Sequence, residues 1–196
     1  MNVDIAGRTY RMAKLTARAQ YALLGRLSPL LPALDGIGRV VDRRGLGSVV
    51  ATAEAIAPLA NAEEADIEFI FDACMACCEV QIDAGWRPAQ EIADDLELSA
   101  SMQVVAHVVA LNFAPFFALK RAQFRSHVGR RPAFDPVSMP DGLDWLLRPV
   151  LRRLCRYESI IDGTLHLEDI ASLNDLLDVA DENQARAHAA AEQERK

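Results

Sequence analysis

Residues 61–78 read Asn-Ala-Glu-Glu-Ala-Asp-Ile-Glu-Phe-Ile-Phe-Asp-Ala-Cys-Met-Ala-Cys-Cys. Ile67, Ile70, Phe71, Cys74 and Cys78 fall at i, i+3, i+4, i+7 and i+11, the spacing that lines one face of a helix. Asn61, three residues ahead of Glu64, fits a capping box. Gly85, Trp86 and Pro88 end the pattern and begin an acidic connection to about residue 98. This is the clearest amphipathic helix in the chain, and its neighbours follow the same logic.

Downstream, Ser99 or Ser101 can cap a helix that is apolar around most of its circumference through Met102, Val105, Val108, Val109, Phe113, Phe116 and Phe117. That pattern predicts the central, most buried helix, with Gln103, His107, Ala110 and Ala114 as its small or polar stripe and a kink at Pro115. Upstream, Val3 to Met12 alternates apolar and polar residues on either side of Ala6-Gly7, which predicts a β-hairpin as the only sheet. Thr16 stands as N-cap before a helix over Ala17 to Leu34, disturbed at Pro29 and Pro32. Gly36, Gly38, Gly45 and Gly47 mark a loop or frayed helix, and a further helix follows at about Ser48 to Leu59. Beyond residue 125, Gly129, Pro132, Pro136 and Pro140 mark a linker. A helix over Asp141 to Ile161, a turn at Asp162-Gly163, a short helix over Leu167 to Leu177 and a polar helix-forming tail then complete the chain. The reading is mainly α: an N-terminal β-hairpin followed by a helical bundle in residues 1–125, a Pro-rich linker at 126–140, and a small helical C-terminal unit at 141–196.

The composition agrees. Apolar residues make up 51%, charged residues 25% and aromatics only 6%, so a chain of this length buries a core of aliphatic side chains on helices. The apolar stretch from Val104 to Leu119 is interrupted by His107, Asn112 and Pro115 and falls short of a membrane span. Met1 to Arg18 has no apolar signal core, so a cytoplasmic protein is expected. The net charge of −7 is uneven, with eight Lys/Arg against three Asp/Glu in residues 1–44 and one Arg against eleven acids in residues 61–99. An acidic total without a basic stripe argues against nucleic acid as a ligand.

No arrangement of residues supports catalysis. Cys74, Cys77 and Cys78 contain a CxxC, but it lies mid-helix on the core stripe, and a zinc site lacks its fourth ligand. Small core cysteines are the simpler reading, and no metal or cofactor is expected. His107 has no carboxylate near it in sequence. The acid pairs Asp94-Asp95 and Asp181-Glu182 point about 100° apart on a helix and read as solvated. There is no nucleophile elbow or phosphate loop. Leu165 to Leu177 faintly resembles the first part of a helix-turn-helix but lacks a basic recognition helix. Arg148, Arg152 and Arg156, at i, i+4 and i+8, line one side of a helix opposite Leu143, Leu147, Val150, Leu154 and Tyr157, and Asp144 can pair with Arg148. With Trp145 and Tyr157 nearby, these arginines make the best candidate partner site, because arginine, tryptophan and tyrosine are enriched at interfaces. The alternative is a solvated helix face.

Two segments resemble bacteriophage proteins. Ile5 to Leu31, with Ala6-Gly7-Arg8-Thr9-Tyr10, Lys14-Leu15-Thr16-Ala17-Arg18 and Gln20, together with the helical region to about residue 125, resembles phage tail assembly chaperones. Gly142-Leu143-Asp144-Trp145-Leu146-Leu147-Arg148-Pro149-Val150-Leu151, then Cys155-Arg156-Tyr157-Glu158-Ser159 and Asp162-Gly163-Thr164-Leu165, resembles a small phage domain of unassigned function often found directly after such a chaperone. The resemblance implies an extended, non-enzymatic chaperone that binds the tape measure protein, helps recruit tail tube subunits and can self-associate. It would act in the host bacterial cytoplasm and be absent from the mature virion. The rival readings are a structural virion component, such as a helical connector or minor tail protein, and a small regulator that binds DNA or a host protein.

Overall fold

The computed structural model describes residues 1–28, 63–83, 85–124 and 137–194. Pro29, Pro32, the glycine-rich loop, the helix expected over Ser48 to Leu59, Asn61 and most of the linker lie outside them. The chain forms two compact units, Met1–Lys14 with Ala19–Asn112, and Leu15–Arg18 with Phe113–Lys196.

The first unit is organised by an antiparallel sheet. Strands β1 (Asn2–Ile5) and β2 (Arg8–Met12) form the expected hairpin, joined by Ala6 and Gly7 at φ of 50° and 77°. Two consecutive positive φ values make a turn whose twist matches the strands. Glycine enters that region freely, whereas Ala6 does so at a cost of about 1 kcal/mol.

The hairpin is half of the sheet, not all of it. Strand β3 (Cys78–Ile82) pairs with β2, and β4 (Gly85–Pro88) pairs with β3, giving the order β1-β2-β3-β4. The register places Tyr10 opposite both Val3 and Val80, and Met12 opposite Cys78. Cys78-Glu79-Val80-Gln81-Ile82 alternates apolar and polar with period two, so Cys78 opens a strand even though it also fits the helical stripe. Ile5, Tyr10, Met12, Cys78 and Val80 all point into the core.

Helix α1 (Ala17–Leu27) starts where expected and carries Gln20, Leu23 and Leu27 into the interior. Helix α2 (Glu64–Ala76) buries Ile70, Cys74 and Met75. Its N-cap is Glu63, which makes no side-chain capping bond, and Glu64 and Asp66 in the first turn favour the positive end of the helix dipole instead. Ile67, expected on the buried face, is 45% exposed, and Phe69 is exposed as well. A 3₁₀ segment (Ala89–Asp95) leads from β4 towards α3 (Leu98–Phe117). Neither serine caps α3. Ser101 donates to the Glu97 carbonyl, and the Ser99 carbonyl accepts from Gln103.

Helix α3 is long and apolar enough, by length and composition alone, to cross a membrane, because the whole of Leu98–Phe117 counts and not only the apolar stretch from Val104. It is not the most buried helix. It buries Ala100, Ser101, Val104, Val108, Asn112 and Phe113, and leaves Gln103, Ala110 and Ala114 exposed. Asn112 is fully buried, as is Gln20, whose Nε2 donates to the Asn112 backbone oxygen at 3.2 Å and to its Oδ1 at 3.1 Å. The Asn112 amide in turn donates to the Val108 carbonyl at 2.9 Å. Two amide side chains that would be costly to bury singly thus satisfy each other and tie α1 to α3.

In the second unit, α4 (Leu143–Leu151) contains Pro149 and ends in a Schellman motif. Leu154 N–H donates to the Pro149 carbonyl and Arg153 N–H to that of Val150, with Arg153 at φ 60° where glycine is usual. A short helix, α5 (Glu158–Ile161), precedes the expected turn, in which Gly163 has φ 84° and Thr164 N–H donates to Asp162 Oδ1 at 2.8 Å. Helix α6 then runs unbroken over Leu167–Glu194 rather than stopping at Leu177. Leu167, Ile170, Ala171, Asn174 and Leu177 form its buried face, and α4 packs against it.

Asn112→Ala should lower stability by about 1–3 kcal/mol, because Gln20 loses an acceptor in a buried site. The loss in the double variant with Gln20→Leu should be smaller than the sum of the single losses, which urea unfolding of the three variants would measure.

Candidate partner-binding surfaces

The arginine row divides into three environments. Arg148 sits on α4 and is 30% exposed, with its guanidinium 2.5 Å from Asp178 and 3.0 Å from Asp181. Arg152 is the helix C-cap and pairs with Asp181 at 2.9 Å. Arg156 lies beyond the helix, is exposed and makes no ion pair with any described residue. Burial lowers the pKa of Arg148, but hydrogen bonds and charge from Asp178 and then Asp181 outweigh it and raise the value overall. Asp144 does not pair with Arg148. It accepts from Met139 N–H at 2.6 Å, because the chain turns sharply at Asp141 and Gly142 and presents that amide to it.

Trp145 is half-buried, edge-on to Phe116 with ring centroids 6.4 Å apart, and its carbonyl accepts from Asn174. Tyr157 is exposed and its hydroxyl accepts from Arg18 at 2.5 Å. The five candidate residues are therefore close in sequence but differently engaged, and Arg148, Arg152 and Trp145 are committed to holding α4 in place. The acids on α6 had read as solvated. Asp181 is instead the hub of two ion pairs, and Glu182 is buried and paired with Arg186 at 2.7 Å. Asp94 and Asp95 do face solvent. One more pair, Arg121 with Asp175 at 2.6 Å, extends the ladder along α6, and the hydrogen bond from Arg121 holds the Asp175 carboxyl below its usual range.

What the arginine pattern conceals is an apolar surface. Leu151 is 79% exposed, and Leu154, Tyr157 and Ile161 are exposed too. Their signal is an apolar residue at every third or fourth position across a segment that leaves α4 after Leu151, so among the described residues they stay exposed along a turning backbone. In the first unit, Ile67 and Phe69 on α2 and Leu98 and Met102 on α3 are likewise exposed.

The cysteines are not a metal cluster, and no group of three or more ligand side chains is placed to hold a metal among the described residues. They are also not on one helix face. Cys74 is in α2, Cys77 is its C-cap and Cys78 is in β3.

Residues 6–125 match the family described as phage tail assembly chaperone protein. The chain belongs to that family. Residues 155–194 match a second family, of unknown function, so the chaperone carries the C-terminal addition expected of an extended form. No curated protein and no solved structure matches it. Its family is one of chaperones rather than enzymes, and its work is done on protein partners in tail assembly.

Arg148→Ala should destabilise the chaperone by about 1 kcal/mol in low salt, and most of that difference should vanish near 1 M salt, since the pairs are partly solvated. The Asp175 pair should show in acid. A depressed folded pKa contributes stability that is complete above the ordinary carboxylate range, near pH 4, and is lost as pH falls below it. Asp175→Asn should flatten that limb of the stability–pH curve while leaving its shape above pH 6 unchanged.

Proposed function

We propose that this chaperone holds the tape measure protein before tube assembly and recruits tail tube subunits to it. In this reading, residues 1–125 shield apolar helix surface on the tape measure protein through exposed side chains such as Ile67, Phe69, Leu98 and Met102. The unit that contains residues 141–194 receives the tube subunit, so that one chain engages both partners. The observation that carries the reading is the exposed run of Leu151, Leu154, Tyr157 and Ile161 in a chain of this family. Apolar anchors with an exposed arginine, Arg156, at their edge have the make-up of an interface core and rim. Arg148 and Arg152 fasten α4, just ahead of that surface, to the acids of α6.

The chaperone acts in the host cytoplasm and leaves before the virion matures. Affinity-tagged chaperone should copurify with the tape measure protein from infected cells and be absent from purified virions. Its persistence in virions would favour a structural connector instead. Leu151→Ser with Leu154→Ser should weaken tube-subunit binding by tenfold or more, on the basis of about 1–2 kcal/mol per buried anchor, and leave the helical circular dichroism unchanged. Unaltered binding would reject this surface.

A further inference from the structure

The residues that lead into α1, Leu15–Arg18, belong to the second unit although they lie within the stretch matched by the chaperone family. Two hydrogen bonds fasten them there. Ala17 N–H donates to the Leu165 carbonyl at 3.2 Å, and His166 Nδ1 donates to the Leu15 carbonyl at 3.0 Å. Ala17 itself is fully buried. The next residue, Arg18, is exposed, and its Nη1 donates to the Tyr157 hydroxyl at 2.5 Å. A residue of the chaperone stretch thus reaches the apolar run of Leu151, Leu154, Tyr157 and Ile161.

We propose that Arg18 joins Arg153 and Arg156 as the cationic rim of that run, and that this composite surface takes an apolar protein segment bordered by carboxylates. The proposal rests on the reading that the run receives the tube subunit, and it assigns the charge of the subunit's contact face.

The charge around the run changes sign along its length. Arg153 and Arg156 are exposed and alternate with Leu154 and Tyr157, whereas Glu158 and Asp162 stand next to Ile161 at the far end. Asp162 is turned to its own backbone, where it accepts from Thr164 N–H at 2.8 Å. Arg148 and Arg152 are engaged with Asp178 and Asp181, which leaves Arg18, Arg153 and Arg156 to meet a partner. A guanidinium carries five N–H donors in one plane, and the bond to Tyr157 uses one donor of Arg18. That bond fixes the fork beside the tyrosine ring, so a carboxylate meets it with less ordering to be done. It also holds Tyr157, which makes Arg18 a positioning residue as well as a contact. A polyanion such as nucleic acid asks for a continuous basic stripe, and Glu158 and Asp162 interrupt this one. Separate carboxylates on a folded partner suit the change of sign.

The test follows association of the full chain with the purified tail tube subunit in low and high salt. Arg18→Glu, Arg153→Glu and Arg156→Glu should each slow association about three- to tenfold in low salt, with most of the difference screened near 1 M salt. Circular dichroism and the thermal midpoint establish that each variant is folded, and Arg18→Gln replaces Arg18→Glu if the latter is not. Tyr157→Phe keeps the ring but releases Arg18, so it should slow association in the unaltered chain and add nothing in Arg18→Gln. Loss of binding in Leu151→Ser with Leu154→Ser, but not in the arginine variants, would overturn the cationic rim and leave the apolar surface standing. If neither set alters binding, both readings fall. Faster association of the glutamate variants would reveal a basic partner face and overturn the proposal. So would salt-sensitive capture of a random DNA duplex that the same substitutions abolish, since the arginines would then serve phosphates.

Discussion

The pairing of β2 with β3 is the constraint on which the first unit depends. It brings residues 10–12 against residues 78–80, far apart in sequence, and the Ala13 N–H to Cys77 carbonyl bond at 2.9 Å extends it by one step. Closing a loop of that length costs little more than closing a shorter one, since the entropy grows only with the logarithm of length. Once closed, the sheet offers Ile5, Tyr10, Met12, Cys78 and Val80 as one apolar surface. It also fixes where α2 must stop. Cys77 lies at the junction for that reason, and its thiol, like that of Cys78, donates to the Cys74 carbonyl.

On the other face, the same register aligns charge. Arg11 stands opposite Glu79 and pairs with it at 2.5 Å, while its guanidinium lies 4.6 Å from the centre of the Trp86 ring. These side chains are solvated enough that the pair itself contributes only a fraction of a kcal/mol, and the register is set by the apolar side. The Gln20–Asn112 contact is of another kind. Buried amides add little net stability, but an alternative packing of α1 on α3 would leave them unsatisfied, so they select one arrangement over its neighbours.

Much of this was legible from residue patterns. The hairpin turn at Ala6-Gly7, the start of α1, the body of α2 and the turn at Asp162-Gly163 follow from local chemistry, which needs no knowledge of distant partners. The second hairpin was obscured because Cys78 satisfies a helical and a strand period at once, and five alternating residues carry little weight beside a long helical stripe. The extent of α3 was hidden by its lack of charge, since a helix apolar all round gives no sign of which face is inside. At the candidate surface, the arginines were visible but their partners were not. Asp178 and Asp181 lie some thirty residues away from Arg148, and α6 had to be continuous past Leu177 to deliver them.

That continuity explains why the apolar run is left outside. Helix α4 contributes Leu146 and Pro149 to the core of its unit, while Arg148 and Arg152 are drawn to the acids of α6. With those positions fixed, the Schellman motif at Arg153 bends the backbone away from the helix axis, and the chain returns to the core only at Ile160. Leu151, Leu154, Tyr157 and Ile161 are therefore exposed because ion pairs and a helix stop hold their segment, not because a core failed to form. A segment fastened by partly solvated charges can shift by small amounts at little cost, while the apolar face of α6 keeps the unit folded. In the function proposed above, apolar side chains carried on such a segment would hold a partner and release it after a small shift of the backbone.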